Sequence, residues 1–212
     1  MDEKIYYYRL PPSCRETLIR YVISESEKHY GALQQGWIFE DEVAALCAEE
    51  QHYTHSHVFA ALAGDKICGS IRICRKMPGQ VLPLEKLFSV NITALVAANT
   101  PVFHIGRFAV SQGISSGAIC VFKTLMALAL SEADKYPGGI TFAECDCRLL
   151  RTIRHLGIEA QTLGKPVFYL GSETVPILLR HENYQLFLKR NQHLLGKEVP
   201  LWGERQESLG QP

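Results

Sequence analysis

Residues 101–118, PVFHIGRFAVSQGISSGA, decide how the rest of the chain is read. β-Branched and aromatic residues crowd the first ten positions, which is the composition of a strand packed on at least one side. The small residues from Gln112 to Gly117 then form a loop in which the backbone can approach a ligand closely, since glycine carries no Cβ. From Ala118 to about Tyr136 apolar residues are nearly continuous, predicting a long helix buried over most of its circumference and stopped by Pro137-Gly138-Gly139. A loop at the start of such a helix presents unpaired amides to an anion, and a pyrophosphate or phosphopantetheine phosphate is a natural occupant. The candidate positions are Ser111, Gln112, Gly113, Ser115, Ser116, Gly117 and Ala118. On composition alone the same loop is also an ordinary turn, so its meaning depends on what surrounds it.

Upstream, HVFAALAGDKICGSIRICR (57–75) is two strand-like runs joined by Gly64-Asp65, a pair suited to a tight hairpin. Leu84, Leu87, Phe88, Ile92, Leu95 and Val96 recur at helical steps and place one or two helices between Pro83 and Asn99. Nearer the start, Leu18, Ile19, Val22 and Ile23 predict a helix running to about His29. Val43, Ala44, Leu46 and Cys47 predict another between Glu40 and Glu50, with the loop GALQQGW (31–37) in between. Downstream, ITFAECD (140–146) reads as a buried strand, RLLRTIRHLG (148–157) as a basic amphipathic helix ended by Gly157, and VFYLG (167–171) as another strand. The run IEAQTLGKP (158–166) can itself pair as a strand, and a helix near HENYQLFLKR (181–190) falls in the tail. This order describes an α/β (α+β) chain with helices flanking a mixed central sheet. The expected organisation is one domain over residues 1–203 and a polar, fraying end at 204–212.

The 22 basic and 22 acidic residues cancel, so no global field is available to hold nucleic acid, and an acidic partner would have to meet a local patch. The charged opening MDEKIYYYRLPPSCRE lacks the apolar core of a secretory signal, and no apolar run reaches the length of a membrane span. A cytoplasmic chain with no integral membrane segment is expected. Seven cysteines, several inside apolar runs, do not suggest a disulfide framework. Cys145 and Cys147 form C-x-C without a second pair at zinc spacing, so no metal is expected.

Three short stretches carry a family resemblance: GRFAV at Gly106 to Val110, GSIRI at Gly69 to Ile73, and LPLEKLF at Leu82 to Phe88. Together they resemble the acyl-homoserine-lactone (autoinducer) synthases and, more closely, the long-chain N-acyl amino acid synthases. Both belong to the GCN5-related acetyltransferase superfamily, and the likeness in element order spans roughly Tyr30 to Gly171. The resemblance implies an acetyltransferase-like fold whose central sheet is splayed. It also implies an acyl carrier protein or coenzyme A donor, with its pantetheine arm between the parted strands and its phosphate at Ser111 to Ala118. The acceptor would be a small amine. Such chemistry needs a base for the amine proton and amides for the thioester oxyanion, and the backbone near Ala109 and Val110 is placed to supply the amides.

The departures from the lactone synthases are informative. Three positions before the strand arginine they carry an acid, and just before it a serine; here those places hold His104 and Gly106. The acids ahead of the hairpin are not cleanly reproduced in EEQHYTHSH, which offers Glu49 and Glu50 before Tyr53, His55 and His57. These changes argue against adenosylmethionine as acceptor and for an amino acid or another simple amine.

His104 is a candidate base because imidazole titrates near neutral pH, and equally a hydrogen-bonded core histidine. Arg72 and Arg107 sit in central strands, where each needs a carboxylate or a ligand oxygen. Glu144 and Glu85 are the candidate partners, and Arg72 is also a candidate clamp for an acceptor carboxylate. Arg107 is carried as catalytic with His104 and Val110, although a plain ion pair serves it as well. Trp37, Phe39, Phe103 and Phe108 are candidate walls of an acyl tunnel or ordinary core. Arg148, Arg151 and Arg154 form a stripe that either docks an acidic carrier protein or is a solvated helix face. Rival readings are a coenzyme A-dependent acetyltransferase of small acyl groups, a non-catalytic acyl- or lipid-binding module of the same fold, and a cysteine hydrolase using Cys145 or Cys147.

Overall fold

The computed structural model describes residues 4–30, 38–112, 114, 117–169, 171–196 and 198–203. The loop at 31–37 with Trp37, the loop residues Gly113, Ser115 and Ser116, and the end at 204–212 lie outside the described residues.

The order of elements is β1 (Ile5–Arg9), α1 (Arg15–Tyr30), α2 (Phe39–Glu50), β2 (Ser56–Ala63), β3 (Lys66–Arg75), α3 (Pro83–Phe88), α4 (Ile92–Leu95) and β4 (Val102–Val110). There follow α5 (Ala118–Asp134), β5 (Ile140–Asp146), α6 (Cys147–His155), β6 (Gln161–Thr162), β7 (Val167–Tyr169), β8 (Ser172–Arg180) and α7 (Gln185–Asn191). The strands form one mixed sheet in the order β1-β2-β3-β4-β5-β8-β6, with β7 also on β8. Among the described strands only β4 and β5 run parallel, joined by α5 as crossover; the other strand pairings are antiparallel. The expected fold class, a mixed sheet flanked by helices, is the observed one.

Alternation along the strands sorts the core into two sides. On one side Ile71, Ile73, Phe103, Ile105, Ala143 and Cys145 join α5, α6 and α7 in the main cluster. On the other, Cys74, Val102, Ile140 and Phe142 meet Leu82, Leu84 and Ile92 of the α3–α4 segment, while α1 covers β1 and β2 through Leu18 and Val22. Helix α2 rides on α1, packing Val43 and Leu46 against Ile19 and Ile23. The nearly continuous apolar run of α5 is explained by burial on most sides, from Val121 to Ala133. None of the seven cysteines is disulfide-bonded. Among the described residues no helix is long and apolar enough to cross a membrane.

The β2–β3 hairpin turns at Gly64-Asp65, with Gly64 at φ 56°. Two strands escape the sequence pattern. β1 is only five residues long, next to a charged start, and its pairing partner β2 lies some fifty residues away. β8 contains Pro176, which argues against an interior strand. The Pro176 carbonyl accepts from Leu163 N (2.9 Å), so that residue's N–C=O edge faces the β6 side and no β5–β8 hydrogen bond is lost.

Gly69 of β3 lies under α5: a Cβ there would stand 2.6 Å from Val121 Cγ1 and 2.9 Å from Leu125 Cδ1. Gly69→Ala should lower stability by about 1–3 kcal/mol through overpacking, seen as a lower urea midpoint at unchanged m-value.

Candidate active site

β4 pairs with β5 only from Val102↔Ile140 to Ile105↔Ala143. Beyond that point β4 stays with β3, as far as Gly69↔Val110, and β5 stays with β8, as far as Asp146↔Thr174. The two central strands part, and the β4 backbone after Ile105 has no β5 partner. The break coincides with an irregularity opposite Ser70–Arg72, where Arg107 takes the left-handed φ of 53°, unusual for a side-chain-bearing residue. The Ser70 hydroxyl pins the bulge by donating to the Arg107 carbonyl (2.8 Å).

The bulge shifts the phase of the strand. Before it, Phe103 and Ile105 face α5; after it, Phe108 and Val110 do. Gly106 and Arg107 absorb the extra step, and Arg107 turns away from α5 toward α2. Gly106 lies beneath the cluster that results: a Cβ would sit 3.0 Å from Arg72 Nη2 and 3.2 Å from His104 Cε1.

That cluster is a buried chain of charges. Arg107 donates to Glu49 Oε2 (2.6 Å) and to Glu50 Oε1 (2.8 Å), and Arg72 donates to the same Glu50 oxygen (2.7 Å). Arg72 also donates to His104 Nδ1 (2.8 Å), while its guanidinium lies 4.3 Å from the Tyr53 ring centroid. His104 Nε2 faces both oxygens of Glu144 at 3.0 Å. An arginine can only donate, so Nδ1 offers its lone pair to Arg72 and the imidazole proton sits on Nε2, pointing at Glu144.

The electrostatics follow from these contacts. Burial works to raise the Glu50 carboxyl, but the Arg72 and Arg107 guanidinium groups outweigh it and hold Glu50 below its ordinary value. Burial likewise works to raise Glu144, and His104, then Arg72 and Arg107, bring it below the usual carboxylate range. For His104 burial opposes the charged form, and the Glu144 carboxylate outweighs burial and draws the pKa up to about 9. Because Arg72 occupies Nδ1, a second proton enters the ring only when that contact opens.

A cavity of about 410 Å³ opens at the split, within the usual size range of small-molecule sites, about 300–1,000 Å³. Its walls come from both sides of the sheet. Phe108, Met126, Leu149, Ile153, Ile177 and Leu179 form an apolar inner part against α5 and α6. Glu49, Lys86, His104, Arg107, Glu144 and Tyr169 form a charged part toward α2 and α3. Burial pushes the Tyr169 phenol up to about 12, against the pull of Arg107, so it stays protonated at neutral pH.

Among the sequence candidates, the cavity brings together His104, Arg107, Arg72, Phe108 and Glu144. Glu85 is elsewhere: its carboxylate accepts from Leu82 N (2.8 Å) and caps α3. The expected partners of Arg72, Glu144 or Glu85, are replaced by Glu50, and Arg72 is fully buried with its two Nη atoms bonded to Glu50 and His104. Phe39 packs beside the α1–α2 contact and lies near Arg20, and Phe103 packs on Tyr136, so of the described aromatic candidates only Phe108 lines the cavity. Glu49 and Glu50, read as an imperfect remnant of the family's acids, turn out to hold both arginines. Lys86 lies within LPLEKLF but is not singled out there, and Tyr169 and the β8 apolar residues Ile177 and Leu179 are not among the sequence candidates.

At the other end of β4, Val110 pairs with Gly69, and Ser111 N donates to the Cys68 carbonyl. Ser111 Oγ lies 3.2 Å from the Tyr21 hydroxyl, and Gln112 Nε2 donates to His29 Nδ1 (2.7 Å). Gly117 is the N-cap of α5 and Ala118 its first residue; among the described residues no side chain caps this end, and no acid lies in the first turn. On α6 Arg148, Arg151 and Arg154 are exposed, on the helix whose other face lends Leu149 and Ile153 to the cavity. Asp146 accepts from the Arg148 and Leu149 amides and caps this helix.

A mixed sheet parted at its parallel pair, with a two-sided cavity in the gap, places the protein among the acetyltransferase-like folds. The chain belongs to the N-acyl amino acid synthase FeeM family, which matches residues 27–179, and it is an acyltransferase. The fold resembles that of FeeM, an N-acyl amino acid synthase from uncultured soil microbes, at a TM-score of 0.63 and 15% identity over 90% of this chain and 98% of that one. It also resembles BjaI, a CoA-dependent acyl-homoserine lactone synthase solved with SAM and isopentyl-CoA, at a TM-score of 0.58 and 14% identity over 93% and 92%. A GNAT-family acetyltransferase from Staphylococcus aureus Mu50 aligns at 0.54 and 10% identity over 84% and 99%. No curated protein matches by sequence.

Removing Glu50 leaves two buried guanidinium groups short of a partner. Glu50→Ala should cost about 3–5 kcal/mol at neutral pH, measured by urea denaturation. Its folded pKa is depressed, so its contribution is present above the unfolded value of about 4.3 and is lost as pH falls through the folded value. As pH falls from about 4.3 through the folded value, the stability of the variant should therefore fall less steeply than that of the parent.

Proposed function

We propose that this protein moves a medium or long acyl chain from a carrier-protein or coenzyme A thioester onto the amine of a small acceptor, an amino acid. The observation that carries this reading is the cavity at the β4–β5 split, apolar toward α5 and α6 and charged toward α2 and α3. An acyl chain suits the first part and a polar amine the second, which sets the thioester carbonyl between them at the parted β4 backbone. There the main chain from Arg107 to Val110, without a β5 partner, would receive the oxyanion.

The donor arm would lie in the gap with its phosphate near Ser111, Gln112, Gly117 and Ala118, where the uncapped start of α5 favours an anion. Gly113, Ser115 and Ser116 would complete that loop. Arg148, Arg151 and Arg154 offer an acidic carrier protein a basic face on the helix that walls the acyl cavity. Both Arg72 Nη atoms already hold Glu50 and His104, whereas Lys86 is 60% exposed and 3.8 Å from Glu49, so an acceptor carboxylate would meet Lys86. BjaI, a CoA-dependent synthase solved with SAM and isopentyl-CoA, illustrates a coenzyme A derivative and an amine-bearing ligand on one such fold.

The purified chain should form amides by mass spectrometry from octanoyl or palmitoyl carrier protein, or the corresponding CoA, with at least one member of an amino-acid panel. A preference for acetyl-CoA would overturn the long-chain reading, and thioester binding without thiol release would overturn catalysis. Met126→Trp, which fills the apolar part, should shift preference to shorter chains by tenfold or more in kcat/KM, about 1.4 kcal/mol for each factor of ten.

A further inference from the structure

We propose that Glu144 is the general base of the reaction and that His104 is a positioning residue acting through it. The assignment rests on the acyl-transfer reading above and deepens it. Glu144 is the first β5 residue past the last β4–β5 pair, so the parting strands leave its carboxylate at the edge of the gap. Its side chain is 13% exposed, against 1% for His104.

His104 lacks the means to take a proton from substrate directly. Its Nδ1 lone pair is held by Arg72, and its Nε2 proton faces Glu144. The other two carboxylates of the cluster are committed as well: Glu49 to Arg107, and Glu50 to both arginines. Among the described residues Glu144 is the one carboxylate of this cluster with no guanidinium hydrogen bond, and its single donor leaves lone pairs open to the cavity.

In the reaction the amine nitrogen attacks the thioester carbonyl carbon, the new C–N bond forms, and the carbonyl oxygen becomes the oxyanion. The surplus proton on nitrogen passes to Glu144; collapse of the intermediate breaks the C–S bond, and the thiolate leaves with the proton from Glu144.

The test compares the parent, Glu144→Gln, Glu144→Asp and His104→Gln in single-turnover acyl transfer across pH, with thermal melts to confirm folding. Besides His104, the groups around Glu144 that titrate or carry charge are Arg72, Arg107, Glu49, Glu50, Lys86, Tyr169, Cys145 and Asp146, with Cys74 behind His104. Glu144→Gln should lose about 100- to 10,000-fold in rate with donor binding kept. Glu144→Asp, which keeps the charge but withdraws it, should lose rate while retaining the acid limb of the profile. His104→Gln should lose less and move that limb to higher pH, because the imidazole that stabilises the carboxylate is gone. A Glu144→Gln rate within threefold of the parent overturns the assignment, and so does a His104→Gln loss equal to that of Glu144→Gln with the limb unmoved. Should the folded parent form no amide from any thioester and amine tried, the acyl-transfer reading falls and takes the base with it.

Discussion

At Gly106 and Arg107 the central strand β4 takes one extra step, and the site depends on the consequences of that step. An extra residue in a strand changes which side each later side chain faces. Here the step turns Arg107 from the apolar α5 side toward the acids of α2, and it restores Phe108 to the core immediately afterwards. The same step ends the pairing with β5 at Ile105↔Ala143. One local backbone feature thus opens the sheet, aims a cation into the opening and keeps the hydrophobic face continuous.

The charges gathered at the opening constrain one another. Glu50 Oε1 receives both guanidinium groups, Arg72 links that oxygen to His104, and His104 links Arg72 to Glu144. Buried ion pairs are weak devices for stability, since desolvation offsets most of the attraction, but losing one member strands the others. The Arg72 Nε, without a partner among the described residues, shows that the geometry serves the orientation of Nη1 and Nη2 more than full satisfaction. A Cβ at position 106 would crowd the Arg72 guanidinium at 3.0 Å, a contact that glycine avoids. The cluster gives a fixed wall of known polarity to one half of a cavity whose other half is apolar.

That polarity would distinguish the ends of the proposed substrate. A thioester is itself divided, with an apolar acyl tail on one side of the carbonyl and a polar carrier arm on the other, and an acceptor amine brings further polarity. A gap that runs through a sheet accommodates such a molecule better than a surface cleft, because the two faces of a sheet can differ completely in chemistry. Family membership and cavity agree on acyl transfer, by separate lines of argument.

Much of the architecture was legible in residue order. The hairpin at Gly64-Asp65, the apolar α5 and the strand ITFAECD each carry a local pattern strong enough to survive tertiary context. β8 was hidden by Pro176, whose tolerance rests on which neighbour its backbone edge faces, a property of pairing and not of sequence. The same limit applies to the site. GRFAV and GSIRI mark the central strands and both arginines, and the resemblance they carry leads to the family. Which acid each arginine meets, whether His104 keeps a lone pair for substrate, and which side of the sheet Arg107 takes are decided only by the tertiary structure. The reason is physical: periodicity reports the side of an element that is buried, whereas a bulge of one residue and a contact across 57 positions have no periodic trace in the chain.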